Sequence, residues 1–286
     1  MNNKLGIFVN FWTNTWACDH VYYLQKAKKI GYDILEFQAQ ALLDMTDARM
    51  EEIKAAAKDA DIELTYSLGL DPAFDISSPD ESVRLGGMKY LTEIVRRIGK
   101  MEGKLLSGVS YAGWGIPAEI NKEARFEASV KSMKELGKTA GDLGITYGIE
   151  AVNRFEGVLI NTAKEARHYV DTVDLPNVGI LLDTYHMNIE EKSFRDAILT
   201  AGDRLVGFHV GENNRTCPGR GHLDWNEIFG TLREVGYDKR IVAEPFVMAG
   251  GEVGRSIAVW RDLVDDKSEA ALDAEAAYML DFMKKA

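Results

Sequence analysis

Glu150 interrupts a short apolar run, "TYGIEAV" (146–152). Asp183 does the same in "VGILLDTY" (178–185), His209 in "LVGFHVGE" (205–212) and Glu244 in "RIVAEPF" (240–246). The four residues are spaced by 33, 26 and 35 positions, each about one strand–helix repeat. On successive parallel strands this spacing sets them at similar heights, aimed at one point. Taken singly, each carboxylate reads as a helix cap or an ion-pair partner. The histidine alone reads as a hydrogen-bonded core residue. Four in phase are a different matter, because three carboxylates in a low-dielectric site repel one another. A divalent cation relieves that repulsion. Three oxygen donors, one imidazole and open water positions suit Mn²⁺, Mg²⁺ or Co²⁺ better than a structural Zn²⁺.

Eight strand-like segments must position these residues. Besides the four above they are "LGIFVNFW" (5–12), "YDILEFQ" (32–38), "IELTYSLG" (62–69) and "KLLSGVSY" (104–111). All are short and rich in apolar, β-branched or aromatic residues, as strands buried on both faces are. Amphipathic stretches with helical period separate them. In "DHVYYLQKAKKIG" (19–31), Val21, Leu24, Ala27 and Ile30 form one stripe with lysines opposite; 47–60 and 127–144 repeat the pattern. Gly31, Gly144 and Gly236 stand where such helices stop. Ser77 or Ser78 is placed to cap a helix with Pro79 in its first turn. Eight such units predict a single (β/α)8 TIM barrel over residues 1–286. An open doubly wound sheet is the alternative, and no G-x-G-x-x-G after the first strand supports its dinucleotide-binding form. Barrel chemistry sits at the C-terminal strand ends, where the four residues lie.

Bulk properties narrow the partners. The 286 residues are 46% hydrophobic, enough for a large core. A net charge of −11 disfavours nucleic acid and anionic membrane surfaces. The two cysteines, Cys18 and Cys217, are far apart, so no disulfide scaffold is expected. No run of about 18 apolar residues and no signal-peptide pattern are present, which leaves a cytoplasmic protein as the expectation.

The segments "IEAVNRFE", "LLDTYHMNIEE", "GFHVGENNR", "PGRGHLDW" and "EPF", with "GIFVNFW" early and "VWRDL" late, resemble the ketose 3-epimerases, typified by D-tagatose and D-psicose 3-epimerases. The likeness covers nearly the whole chain. It implies a TIM barrel, a homodimer or homotetramer, and one Mn²⁺ or Co²⁺ per subunit. It implies Glu150, Asp183, His209 and Glu244 as metal ligands, with Glu150 and Glu244 also moving the proton at C3. Glu156, His186 and Arg215 are implied as clamps on the sugar's C1–C3 oxygens, and Trp114 and Trp16 as aromatics near the substrate. Phe8 stands where some D-psicose epimerases carry tyrosine. "LDPAFD" after Gly69 and the residues around "VSYAG" also depart from the commoner versions; these loops shape the pocket for the far end of the sugar.

The residues themselves fit that chemistry. A ketose C3–H is only weakly acidified by the C2 carbonyl, so inversion needs electrophilic help and two proton carriers on opposite faces. Glu150 and Glu244 lie three strands apart in an eight-strand ring and can flank a ligand. Glu156 reads equally as a surface carboxylate paired with Arg154, and Arg215 as part of a solvated turn. Of Phe8, Phe11, Trp12, Trp16, Trp114 and Phe246, most are expected in the core, with one or two against a sugar's C–H face. Cys217 has no base partner and is expected to be non-catalytic. "MAGGEVG" (248–254) has the glycines of a phosphate cradle but no Lys or Arg before Arg255, which favours a free ketose over a sugar phosphate. An aldose–ketose isomerase or a polyol-ketone dehydratase on the same barrel remains the alternative.

Overall fold

The computed structural model describes residues 3–285. Eight parallel strands close into a barrel in sequence order: β1 (Lys4–Phe8), β2 (Ile34–Gln38), β3 (Glu63–Gly69), β4 (Leu105–Val109), β5 (Thr146–Glu150), β6 (Val178–Asp183), β7 (Leu205–Val210) and β8 (Arg240–Ala243). β1 pairs with β8 through Leu5↔Ile241 and Gly6↔Val242, which completes the ring. Closure removes every sheet edge, and each strand is covered by helices outside and side chains within. That is why β6 and β7 are buried at all six of their positions.

The outer layer comprises α1 (His20–Ile30), α2 (Asp47–Ala60), α3 (Glu81–Lys100), α4 (Lys122–Asp142), α5 (Ala163–Val173), the short α6 (Thr184–Glu190), α7 (Phe194–Ala201), α8 (Trp225–Glu234), the short α9 (Gly251–Ser256) and α10 (Glu269–Lys285). Local chemistry sets their ends. Asp19 caps α1 by accepting from the Val21 and Tyr22 amides, and Gly31 stops it at φ 107°. Gly144 and Gly236 follow α4 and α8 with φ of 70° and 66°. Thr162 and Glu165 form a reciprocal capping box on α5.

Three readings need correction. The strand readings ran two to four residues too far at several C-terminal ends: β1 stops at Phe8 rather than 12, and β8 at Ala243 rather than 246. Apolar residues such as Val9, Phe11 and Phe246 stay buried after the backbone has left the ladder, so burial alone overstates strand length. The α3 cap is Asp80, not Ser77 or Ser78; its carboxylate accepts from the Ser82 amide, and Pro79 precedes the cap. Lys26 is not on the solvent face of α1: it is buried and pairs with Glu269 at 2.9 Å and Asp273 at 3.0 Å.

Those two acids belong to α10, which fills the gap in the helical ring between α8 and α1. Phe282 packs on Trp225 and Phe229, the Tyr32 hydroxyl donates to the Ala276 carbonyl at 2.8 Å, and Trp12 Nε1 donates to Asp273 at 3.0 Å. The acidic C-terminal stretch thus closes its own barrel, and through Trp12 it braces the loop after β1. Leu280 is buried in that seam. Leu280→Ala is expected to destabilise by about 2–4 kcal/mol, read as a lower urea midpoint; an unchanged midpoint would show that α10 is not part of the cooperative fold.

Candidate metal centre and active site

Register brings the four spaced residues together. Asp183 ends β6 and pairs directly with His209 of β7. Glu150 ends β5 opposite Leu181 of β6. Glu244 follows β8, its amide bonded to the Val210 carbonyl at 3.0 Å. One ligand atom from each of Glu150, Asp183, His209 and Glu244 lies within 4.8 Å of all the others, and all four residues are buried.

The donor set fits a divalent cation on its own terms. Asp183 Oδ1 caps α6, accepting from the Tyr185 and His186 amides at 2.7 and 3.2 Å. Its Oδ2 is buried with no hydrogen-bond partner, and so are both ring nitrogens of His209. Buried polar atoms without partners are rare in folded proteins, and these belong to groups that commonly ligate metals. On one edge of the imidazole, Nε2 sits 2.9 Å from Glu36 Oε1. Glu36, on β2, is fully buried and receives the Thr65 hydroxyl at 2.7 Å. A carboxylate behind a ligating histidine fixes ring orientation and raises its basicity.

Without a cation, protons must take its place. Burial and the neighbouring Glu244 hold the Glu150 carboxyl well above the usual carboxylate range. Burial raises Asp183 to about 6, against the pull of Arg215. Burial also acts on Glu244, but His209 and Arg215 outweigh it and keep that carboxyl low. His209 is held well above its ordinary value: burial opposes its charge, and Glu244 and Glu36 outweigh burial.

Above this cluster lies a cavity of about 60 Å³. Glu150, Glu244, Glu156, His186, Arg215, Trp114, Phe8 and Trp16 all line it, so the residues read from the sequence meet around one space, with Asp183 and His209 beneath. His186 opens α6. Its Nδ1 accepts from the Asn153 amide at 3.1 Å, which places the ring proton on Nε2, 3.7 Å from Glu150. Burial, Arg215 and His209 keep that ring neutral. Arg215 Nη2 lies 3.2 Å from the same nitrogen. The guanidinium sits between the rings of Tyr185 (4.2 Å) and Phe246 (5.2 Å), and Nη1 reaches Glu244 at 3.2 Å.

Arg215 has φ 70°, a strained value for a non-glycine residue. Its loop is held by Glu212, whose buried carboxylate accepts from the Gly219 and Leu223 amides and from Trp225 Nε1 at 2.7 Å. Arg154 is not the partner of Glu156: it pairs with Glu190 at 2.9 Å, while Asn153 Nδ2 donates to Glu156 at 2.9 Å. Gly69 lets Trp114 lie against the backbone, since a Cβ there would meet the indole at 2.3 Å. Phe11 and Trp12 are buried core residues, whereas Phe246 lines the cavity. Burial pushes the Cys217 thiol up to about 12, so no thiolate nucleophile forms there. The glycine-rich segment after β8 is no open cradle: the Glu252 and Val253 amides both donate to the Asn14 carbonyl, at 2.8 and 3.1 Å.

Sequence reading missed Glu36 and Asn153. Glu36 carried a visible signal, a carboxylate in the otherwise apolar "ILEF". It lies within its strand rather than at the end, out of phase with the other four. Asn153 carried none, because its role depends on where the β5 loop folds.

A closed eight-stranded parallel barrel with a carboxylate–histidine cluster at its C-terminal end defines the class, and residues 24–274 match the xylose isomerase-like TIM barrel family. D-psicose 3-epimerase of Ruminiclostridium cellulolyticum is 42% identical over 283 residues, 98% of this chain and 97% of the relative. D-psicose 3-epimerase of Agrobacterium fabrum is 37% identical, covering 98% of each chain. The solved structure of D-psicose 3-epimerase with D-tagatose from Clostridium cellulolyticum H10 superposes with a TM-score of 0.96 at 42% identity, covering 99% of this chain and 98% of that one. The chain belongs, within that barrel family, to the ketose 3-epimerases, enzymes of the isomerase class.

Two outcomes are expected of the cluster. Glu36→Gln should weaken Mn²⁺ affinity about 10–100-fold in a competition titration; unchanged affinity would reduce Glu36 to a packing residue. Mn²⁺ affinity should also rise with pH. The cation needs Glu150, Asp183 and His209 without protons, and their free-state pKa values are raised, Asp183 to about 6. Each displaced proton steepens the rise by about tenfold per pH unit below the pKa concerned. Calorimetry in buffers of different ionisation enthalpy counts the protons released; none released would contradict this assignment.

Proposed function

We propose that the enzyme inverts C3 of free ketoses, the D-psicose/D-fructose and D-tagatose/D-sorbose pairs or related ketopentoses, through a cis-enediolate form of the sugar. The observation that carries this reading is that Glu150 and Glu244, three strands apart, present carboxylates to the same buried cavity. One removes the C3 proton from one face and the other returns a proton to the opposite face; they exchange roles in the reverse direction. Glu150, Asp183, His209 and Glu244 would hold Mn²⁺ or Co²⁺, with Mg²⁺ also compatible with an oxygen-rich donor set. A cation there supplies positive charge that polarises the C2 carbonyl and offsets the negative charge developing on the sugar.

The remaining residues orient the substrate. His186 Nε2–H and Arg215 Nη2, 3.2 Å apart, are two donors that call for one acceptor between them. A sugar oxygen on the C1–C3 side meets that need. Glu156, held by Asn153, accepts from a hydroxyl on the same side. Phe8, Trp16 and Trp114 offer apolar faces to the sugar's C–H groups. Phe8 is buried and the two tryptophans are half-buried, so these rings limit the access of water to the proton transfers. We also read the protein as a cytoplasmic homodimer or homotetramer acting on a small sugar, without nucleic-acid or membrane partners. Among the described residues, no helix is long and apolar enough to cross a membrane. Phe155 and Trp260, each 73% exposed, offer apolar surface for assembly.

The test is a panel of ketohexoses and ketopentoses with Mn²⁺ or Co²⁺ in D₂O. Solvent deuterium should enter C3 with inversion; an aldose product would indicate isomerase activity and loss of water a dehydratase. Glu150→Gln and Glu244→Gln should each lower kcat by about 10²–10⁴-fold while sugar binding, followed calorimetrically on metal-loaded protein, largely survives. Full activity in either variant would remove that glutamate from the pair.

A further inference from the structure

Beyond the reaction chamber the barrel mouth opens into a second cavity of about 750 Å³, against about 60 Å³ for the chamber itself. Trp16, Gln38, Gly69 and Trp114 line both, so the two spaces meet at a neck formed by the two indoles. The second cavity is within the ~300–1,000 Å³ range of ligand sites. It lies over β2 and β3, across the barrel from His186 and Arg215, which would hold the C1–C3 end of a ketose. The C6 end would therefore point at the neck.

Its walls have the chemistry of a carbohydrate site. Phe74 and Tyr90 are stacked 4.0 Å apart and nearly parallel, an aromatic wall suited to a sugar's C–H face. Gln40 spends its amide N–H on the Gly69 carbonyl at 2.9 Å, and its Oε1 is buried without a partner. Asp44, Asp71 and Glu252 add acceptors for hydroxyl donors. Among the described residues, no lysine or arginine lines this cavity, so nothing there offsets the charge of a phosphate.

We propose that this cavity is a second subsite, which takes an uncharged glycosyl group carried on O6 of the ketose and disfavours ketose 6-phosphates. The proposal rests on the epimerase reading for the orientation of the sugar. It extends the substrate class from free ketoses to 6-O-glycosyl ketoses.

The metal-loaded enzyme is assayed for C3 deuterium exchange with D-fructose, D-fructose 6-phosphate and isomaltulose, a 6-O-glucosyl fructose. Isomaltulose should be exchanged with kcat/KM within about tenfold of D-fructose, and the phosphate should fall more than about tenfold below isomaltulose. Ala41→Trp, which fills the cavity wall, should lower kcat/KM for isomaltulose at least about tenfold and leave D-fructose within about twofold. Asp44→Lys, at an exposed position, should narrow the phosphate disadvantage by about threefold. Saturation-transfer NMR reads binding separately: the glucosyl protons should receive saturation in the wild type and lose it in Ala41→Trp. No transfer to those protons, or an Ala41→Trp effect equal on both sugars, overturns the subsite. If D-fructose itself is not exchanged, the epimerase reading fails, and the glucosyl signal still decides whether the cavity binds a sugar.

Discussion

Three carboxylates share one buried chamber, and electrostatics forbids all three to be ionised there without a compensating charge. Much of the upper barrel answers that constraint. Asp183 commits one oxygen to the first amides of α6 and leaves the other facing the cluster. His209 is backed by Glu36, a fourth buried carboxylate, so the ring presents Nδ1 inward. Arg215 brings a guanidinium to Glu244, and two aromatic rings hold it in place. A divalent cation would bring the remaining positive charge, and the unpartnered Asp183 Oδ2 and His209 Nδ1 are donor atoms it could use.

The same constraint explains why the loops are built so firmly. Arg215 is useful only if its charge stays at the chamber, and its backbone takes a strained left-handed conformation to put it there. Glu212 holds that loop with three hydrogen bonds, one buried and two partly buried. Functional strain of this kind persists where surrounding structure fixes it. The two halves of the barrel divide the work: β5 to β8 and their loops carry the charged groups that face the chamber, backed by Glu36 of β2, while Phe8 at the end of β1 and Trp16 and Trp114 in the loops after β1 and β4 shape the space beyond.

Much of the fold was legible because a parallel strand buried on both faces leaves a continuous apolar signature, and eight of these separated by helical period allow few closures. The strand ends were less legible: residues such as Phe11 and Phe246 stay buried after the ladder stops. Lys26 shows the limit of periodicity, since its burial depends on two acids nearly 250 residues later. Glu156 shows another: Arg154 is its neighbour in sequence, yet the loop turns Arg154 toward Glu190.

By itself the sequence determined the four-residue cluster, because strand periodicity converts even spacing into common height and common direction. Three carboxylates and a histidine in phase also pointed to a site that could hold a divalent cation. Only the tertiary structure decided what lies behind and around that cluster. Glu36 reaches His209 across the barrel, Asn153 sets the His186 tautomer through a loop amide, and the second cavity exists only where the loops after β1 to β4 and β8 meet. These are contacts between distant segments, set by barrel closure and loop packing, and no local pattern encodes them.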